Sequence, residues 1–309
     1  MPSPSRSVLT LGLIGGILAA STAAIFIRFA QAQGADSIVI AAARLTLASL
    51  ILAPFVWMRH RGDLRALHRR DWLLLGLAGI FLAFHFASWI SSLAYTSVAS
   101  SVVLVTTTPL WVGLLAPLVL GERLNRWTVV GLALALTGGI VIGLSDACRL
   151  EAARLSCPPL SSFVSGTAFA GDLLALAGAW MAAGYLLVGR RVRTRLPLLP
   201  YIFVVYGCAA LVLLGLMLAL GKSPLGLPAD AYLWFLLLAL VPQLLGHSSF
   251  NWALKYLPAS FVSVTLLGEP IGSSVLAYLL FQEIPGWLKL GGAVLILAGI
   301  WLTARSAAN

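Results

Sequence analysis

Apolar residues run along this chain in blocks of about twenty, separated by short stretches where arginine, aspartate, proline and glycine gather. A helix of that length crosses the ~30 Å hydrocarbon core of a bilayer, whereas an outer-membrane barrel would show alternating segments of roughly ten. The blocks predict α-helical spans at 8–30, 37–58, 72–94, 99–120, 127–145, 168–189, 198–220, 231–253, 259–281 and 286–304. The expected fold class is therefore an all-α integral membrane protein of ten transmembrane helices. The N-terminal apolar run continues past Ser21 to Ile27 and reads as the first span rather than as a cleaved signal peptide.

The second half repeats the first. Sliding the chain by 161 residues without a gap lays 88–144 on 249–305 with 13 identities in 57 positions. The matches include Tyr95 on Tyr256, Pro109 on Pro270, Glu122 on Glu283, Gly131 on Gly292 and Gly138 on Gly299. A weaker echo sets 19–26 against 179–186, which brings span one over span six. Each unit holds five helices, an odd number, so the second copy must enter the membrane from the opposite side. The reading is two inverted five-helix repeats, 1–145 and 168–309, joined by an outer linker loop at 146–167. Inverted repeats hold a site near the midplane and exchange which half is splayed, which is the geometry of alternating access.

Composition agrees and adds orientation. The chain is 60% hydrophobic and 10% charged, with a mean hydropathy of +0.99, against about 25% charged in soluble domains. Too little chain lies outside the spans for a soluble catalytic domain of about 50 residues. With the N-terminus inside, fourteen basic residues become cytoplasmic, among them Arg59, Arg65, Arg123, Arg190 and Arg193, and four lie outside: Arg149, Arg154, Lys222 and Lys289. That bias places both termini in the cytoplasm of a bacterial inner membrane. The net charge of +10 then reads as topology and contact with anionic head groups, not as a nucleic-acid surface. The partners expected are a small-molecule solute and membrane lipids, with no nucleic acid, for a monomer or a homodimer. Cys148 and Cys157 share the outer loop, where a disulfide is open either way, and Cys208 lies within span seven. No metal or cofactor signature is present in the spacing, so neither is expected.

Polar groups at bilayer depth need a partner or a wet cavity. Arg28, near the end of span one, reads as a snorkelling side chain. Arg44 lies too deep in span two for that, leaving pairing or cavity lining. Span three sets His85, Ser88, Trp89 and Ser92 on one helical face. Span eight repeats the device with Gln243, His247 and Asn251. Seven of the ten tryptophans fall near span ends and read as interfacial belts, but Trp89, Trp111 and Trp180 lie deeper. With Tyr185 and Tyr206 they form candidate flat walls for an aromatic solute, helix packing being the alternative for each.

The segment Leu267–Gly268–Glu269–Pro270 places a carboxylate, a helix breaker and a glycine near the middle of span nine. Proline frees a carbonyl one turn earlier, so Pro109 in the first half, and Gly268, Pro270 and Gly272 in the second, read as hinges. Glu269 is a buried charge with three candidate roles: pairing with a cation such as Arg44, binding a solute ammonium, or cycling a proton. Its repeat partner is Thr108, so the charge is not duplicated. Substrate-binding candidates are thus His85, Ser88, Trp89, Thr107, Trp111, Trp180, Tyr185, Tyr206, His247, Asn251 and Glu269.

The units at 93–144 and 254–302 resemble the repeat of EamA-type carriers of the drug/metabolite transporter superfamily, a likeness that extends to Arg44 in span two. The segment His85–Phe86–Ala87–Ser88–Trp89 and the second-half Glu269–Pro270 are similar to YddG-type exporters of aromatic amino acids. The resemblance implies a secondary transporter exporting small metabolites, aromatic or apolar amino acids foremost. Exchange of phosphorylated or nucleotide-linked metabolites is the rival within the superfamily. An intramembrane enzyme built on His85, His247 and Glu269 is the remote one, since no HExxH, GxSxG or Walker pattern occurs.

Overall fold

The computed structural model describes residues 4–96, 101, 104–122, 124–147, 149–151, 154–157, 159, 167–281 and 286–306. Helices fill the expected ranges in order: α1 Arg6–Ser21, α2 Ala23–Ala32, α3 Ser37–Arg59, the short α4 Arg61–Arg65, α5 Arg69–Tyr95, α6 Thr108–Leu120 and α7 Arg126–Ala147. The second half holds α8 Thr167–Arg193, α9 Leu198–Ala219, α10 Ala229–Leu238, a π-helical stretch Ala239–His247 and α11 Ser248–Ala253. It ends with α12 Ala259–Thr265, a 3₁₀ turn Leu266–Gly268, α13 Glu269–Phe281 and α14 Trp287–Ser306. Six helical stretches among the described residues are long and apolar enough to cross a bilayer: 6–32, 37–59, 69–95, 169–193, 198–219 and 229–253. Three of the other four expected spans hold shorter apolar helices and the ninth is broken into α12, the 3₁₀ turn and α13, so length alone does not establish a count of ten.

The linker departs from an all-helical reading. Arg149–Glu151 and Arg154–Ser156 form a two-stranded antiparallel hairpin, β1 and β2. Cys148, one of the two linker cysteines considered for a bridge, lies outside the described residues, and so do Arg123 and Glu283. Cys208 is a free thiol on α9.

The main helix contacts map onto one another under exchange of the two halves. α5 lies on α8, and its counterpart contact sets α1 and α2 on the π-helical stretch and α10. α6 lies on α8 as α13 lies on α1, while α3 with α9, α6 with α12 and α7 with α14 are pairs that map onto themselves. The glycines show how closely these pairs approach. On α7 and α14, Gly131 meets the carbonyl of Gly299 and Gly138 meets that of Gly292. As numbers rise along one helix they fall along the other, so the two run antiparallel. Only residues without side chains let two backbones come this near. The α5–α8 pair is antiparallel by the same logic, with Gly171 against Thr96 and Gly184 against Phe81. α1 and the 3₁₀–α13 segment run parallel, with Gly268 against Ile17 and Gly272 against Ser21.

Candidate functional site

Two interrupted helices face each other across the molecule. In the first half a turn at Thr106 and Thr107 precedes α6, which begins at Thr108 with Pro109 in its first turn. In the second, the 3₁₀ turn precedes α13, which begins at Glu269 with Pro270 next. Proline is tolerated there because the first amides of a helix have no intrahelical acceptor. Both helix starts border one cavity of about 750 Å³, counted with its open mouth, and Thr108, Pro109 and Glu269 line it. An N-terminal helix end carries a partial positive charge, so each interruption aims a dipole at this space.

His85, Trp89, Tyr185 and His247 complete the polar and aromatic wall, with Ala20, Ala23, Ala182, Leu186 and Phe250 among the apolar remainder. The His85 and Trp89 rings stack nearly parallel, 6.1 Å apart with planes at 10°. His85 Nδ1 lies 2.9 Å from the Gly178 carbonyl. A carbonyl only accepts, so Nδ1 carries the proton, and a neutral ring then keeps an acceptor at Nε2. The indole Nε1 of Trp89 is buried without a protein acceptor.

Glu269 makes no ion pair. The four among the described residues are His60–Asp63, Arg190–Glu122, Arg195–Asp71 and Lys222–Asp36. A fixed Glu269–Arg44 bridge is thus not formed in this state. The Glu269 backbone is held, its carbonyl accepting from Ser21 Oγ at 3.1 Å, while the side chain faces the cavity.

Arg44 is fully buried on α3. Its Nε donates to Gln243 Oε1 at 2.8 Å, and its guanidinium lies 4.2 Å over the Phe86 ring. Its Nη1 and Nη2, and Nε2 of Gln243, have no protein acceptor. Buried donors of this kind are rare, each unmet one costing about 1–3 kcal/mol. The π-helical stretch, which contains Pro242, turns both Gln243 and His247 inward. Such stretches are uncommon and concentrate at functional sites.

Several expected wall residues lie outside the cavity lining. Thr107 donates to the Leu104 carbonyl at 2.6 Å and accepts from Trp111 Nε1 at 3.1 Å, so its neighbour Thr108 takes the cavity position. Trp111 meets Trp180 edge-on at 5.4 Å, and Trp180 is 45% exposed on the outer face. Ser88 is half-buried outside the lining. Tyr206 and Asn251 belong to an internal chain: Tyr185 donates to Asn251 Oδ1 at 2.7 Å, and Asn251 Nδ2 donates to the Tyr206 hydroxyl at 3.2 Å. Tyr206 passes its proton toward Ser248 at 3.2 Å, and Ser248 donates to the Gln243 carbonyl at 3.3 Å. Only Tyr185 of this chain reaches the cavity. Gly268 and Gly272 serve close packing on α1, where added methyl groups would meet Ile17 and Ser21. Both have ordinary helical neighbours, and neither has a positive φ.

At one end of the bundle the halves are tied. Arg190 binds Glu122 at 2.8 Å and donates to the Leu254 carbonyl at 2.7 Å, while the second Glu122 oxygen accepts the Ala259 amide at 3.0 Å. Arg193, one of the basic residues counted as cytoplasmic, is buried, donating from Nε to the Asn251 carbonyl at 2.8 Å and lying over Tyr201. No spacing rule within one helix signals these contacts, since each partner comes from another element. Arg28 is exposed, as a snorkelling residue would be.

Comparison with known proteins agrees with this architecture. The chain is 26% identical over 277 residues to an uncharacterized transporter of Archaeoglobus fulgidus, covering 90% of each protein. It is 26% identical over 253 residues to the pseudopaline exporter CntI of Pseudomonas aeruginosa, covering 82% of this chain and 81% of that one. A solved crystal structure superimposes with a TM-score of 0.77 at 21% identity, over 98% of this chain and 99% of the other, a likeness of fold. The profile of the EamA-like transporter family matches twice, at residues 8–144 and 169–305. This multi-pass membrane protein, with its two repeats, belongs to the EamA-like transporter family.

Proposed function

We propose that the chain exports small amphipathic metabolites, amino acids with aromatic or apolar side chains foremost, across a bacterial inner membrane, with both termini in the cytoplasm. Transport runs by alternating access of two inverted five-helix repeats around the shared cavity. The observation that carries the reading is the pair of interrupted helices starting at Thr108 and Glu269 on one cavity, one with a carboxylate and one without. A zwitterionic solute suits that asymmetry. Its ammonium meets Glu269, and its side chain lies against the His85–Trp89 stack. The antiparallel courses of α7 and α14, and of α5 and α8, support the inversion. The Glu122–Arg190 tie sits among cytoplasmic residues in this orientation and must break when the cavity opens that way. A named exporter among the relatives supports the outward direction.

The test is efflux from proteoliposomes loaded with a panel of labelled amino acids, with and without a pH gradient. Saturable loss of the aromatic members is expected. If no amino acid moves, the export reading falls and exchange of phosphorylated metabolites takes its place.

A further inference from the structure

Among the described residues, the buried cluster on α3 and the π-helical stretch has more donors than acceptors. Arg44 Nη1 and Nη2 and Gln243 Nε2 bring several N–H groups together, fully buried, without a well-formed hydrogen bond to any acceptor among the described residues. Gln243 gives its side-chain oxygen to Arg44 Nε. No carboxylate among the described residues lies within ion-pair distance of the guanidinium. A permanent cation surrounded by donors calls for an anion, and a planar guanidinium with two free corners matches the two oxygens of a carboxylate.

The cluster stands one layer behind the cavity. Arg44 covers one face of Phe86, and the Phe86 ring meets the edge of His247, a wall residue, at 5.2 Å. Tyr206, Glu269 and Tyr185 are the groups whose charge Arg44 feels, and the last two stand on the wall. Gln243 and His247 share the π-helical stretch, so one movement of that stretch shifts both the donor and the side chain screening it.

We infer that Arg44 and Gln243 form a buried carboxylate-binding subsite, which takes the carboxylate of the transported solute once the π-helical stretch moves. This deepens the export reading and rests on it for the source of the anion. Glu269 and Arg44 then divide the solute between them, ammonium to one and carboxylate to the other.

The first arm uses the purified full chain in a chloride- and carboxylate-free isethionate buffer, following the thermal midpoint against sodium acetate or sodium chloride at constant ionic strength. Acetate should raise the midpoint saturably, and Arg44→Gln should abolish the response. Gln243→Glu covers the case in which Arg44→Gln fails to fold, because it sets a carboxylate beside the guanidinium. It should raise the midpoint without added anion and remove the acetate response. A wild-type chain indifferent to acetate, a full acetate response in Gln243→Glu, or a response to chloride alone overturns the subsite. The second arm measures binding of phenylalanine and of phenethylamine, which lacks the carboxylate. Phenylalanine should bind at least tenfold more tightly, with the ratio collapsing toward one in Gln243→Glu. An unchanged ratio overturns the solute as the source. An acetate response without binding of either aromatic probe keeps the anion subsite and removes the aromatic solute.

Discussion

The starts of α6 and α13 are the same device in two chemical versions. Each follows an irregular turn, each has proline in its first turn, and each borders the cavity. At the first, Thr108 closes on its own helix neighbourhood, donating to the Val105 carbonyl at 2.8 Å, with the Ala179 carbonyl at 3.4 Å. At the second, Glu269 leaves a carboxylate facing the cavity and anchors only its backbone, through Ser21. The two repeats share the interrupted helix start and differ in its chemistry, so geometric symmetry and electrostatic asymmetry are separate properties of the fold.

Removing the charge breaks that comparison most severely. Glu269→Gln should lower efflux at least tenfold while the protein stays monodisperse, since no ion pair depends on it. Parent-rate export with unchanged pH dependence, measured in proteoliposomes, would make the two helix starts equivalent after all. Thr108→Ala, the counterpart change, should reduce efflux far less. Next come His85→Ala and Trp89→Ala, each expected to cut transport severalfold at normal levels of folded protein, through loss of the stacked wall. Normal efflux from both, by the same assay, would reduce that wall to packing.

The symmetric side of the comparison is sharpened by glycine. Gly138 and Gly299 are repeat partners, and a methyl group at either would press on the facing helix: at Gly138 it would lie 2.5 Å from the Gly292 carbonyl, at Gly299 against the Gly131 carbonyl. Each alanine variant should destabilise by about 1–3 kcal/mol, by similar amounts. Gly291→Ala, with open space around it, should change little. Unequal losses in detergent thermal melts would show that the two-fold relation does not extend to the energetics of α7 and α14.

The smallest effect belongs to the surface. Lys222 bonds Asp36 at 2.8 Å, and that contact raises the lysine above its ordinary 10.5. A raised lysine contributes stability fully below the unfolded value and loses it as pH rises through the folded one. Lys222→Ala should therefore flatten the fall in thermal midpoint above about pH 10.5 and alter nothing near neutrality. An exposed pair such as this contributes little in any case.

Much of this was legible in the chain itself. The apolar blocks located the helices, and the ungapped repeat paired Pro109 with Pro270 and Gly138 with Gly299 before any contact was known. The spacing of His85 and Trp89 placed both on the wall they share. What the pattern missed lies between helices. Gln243 shares its helix face with Asn251 in the sequence, yet one holds Arg44 and the other joins Tyr185 and Tyr206, because the π-helical stretch turns that face away from a 3.6-residue period. Tyr206, Asn251 and Trp111, polar enough in the sequence to suggest a solute, are hydrogen-bonded to neighbouring side chains here. Periodicity reports which way a residue points, and only the packing of other helices decides whether a partner is waiting there.

The crossing of α7 and α14 carries a consequence for ancestry. Gly131 on Gly299 and Gly138 on Gly292 are the same contact with the roles reversed. Such a surface is isologous: it is complementary to a copy of itself. A polypeptide of one repeat length would already possess this seam and could pair through it with a copy of itself related by a two-fold rotation. The β1–β2 hairpin lies between the two matched repeats, where the chain passes from one copy to the other.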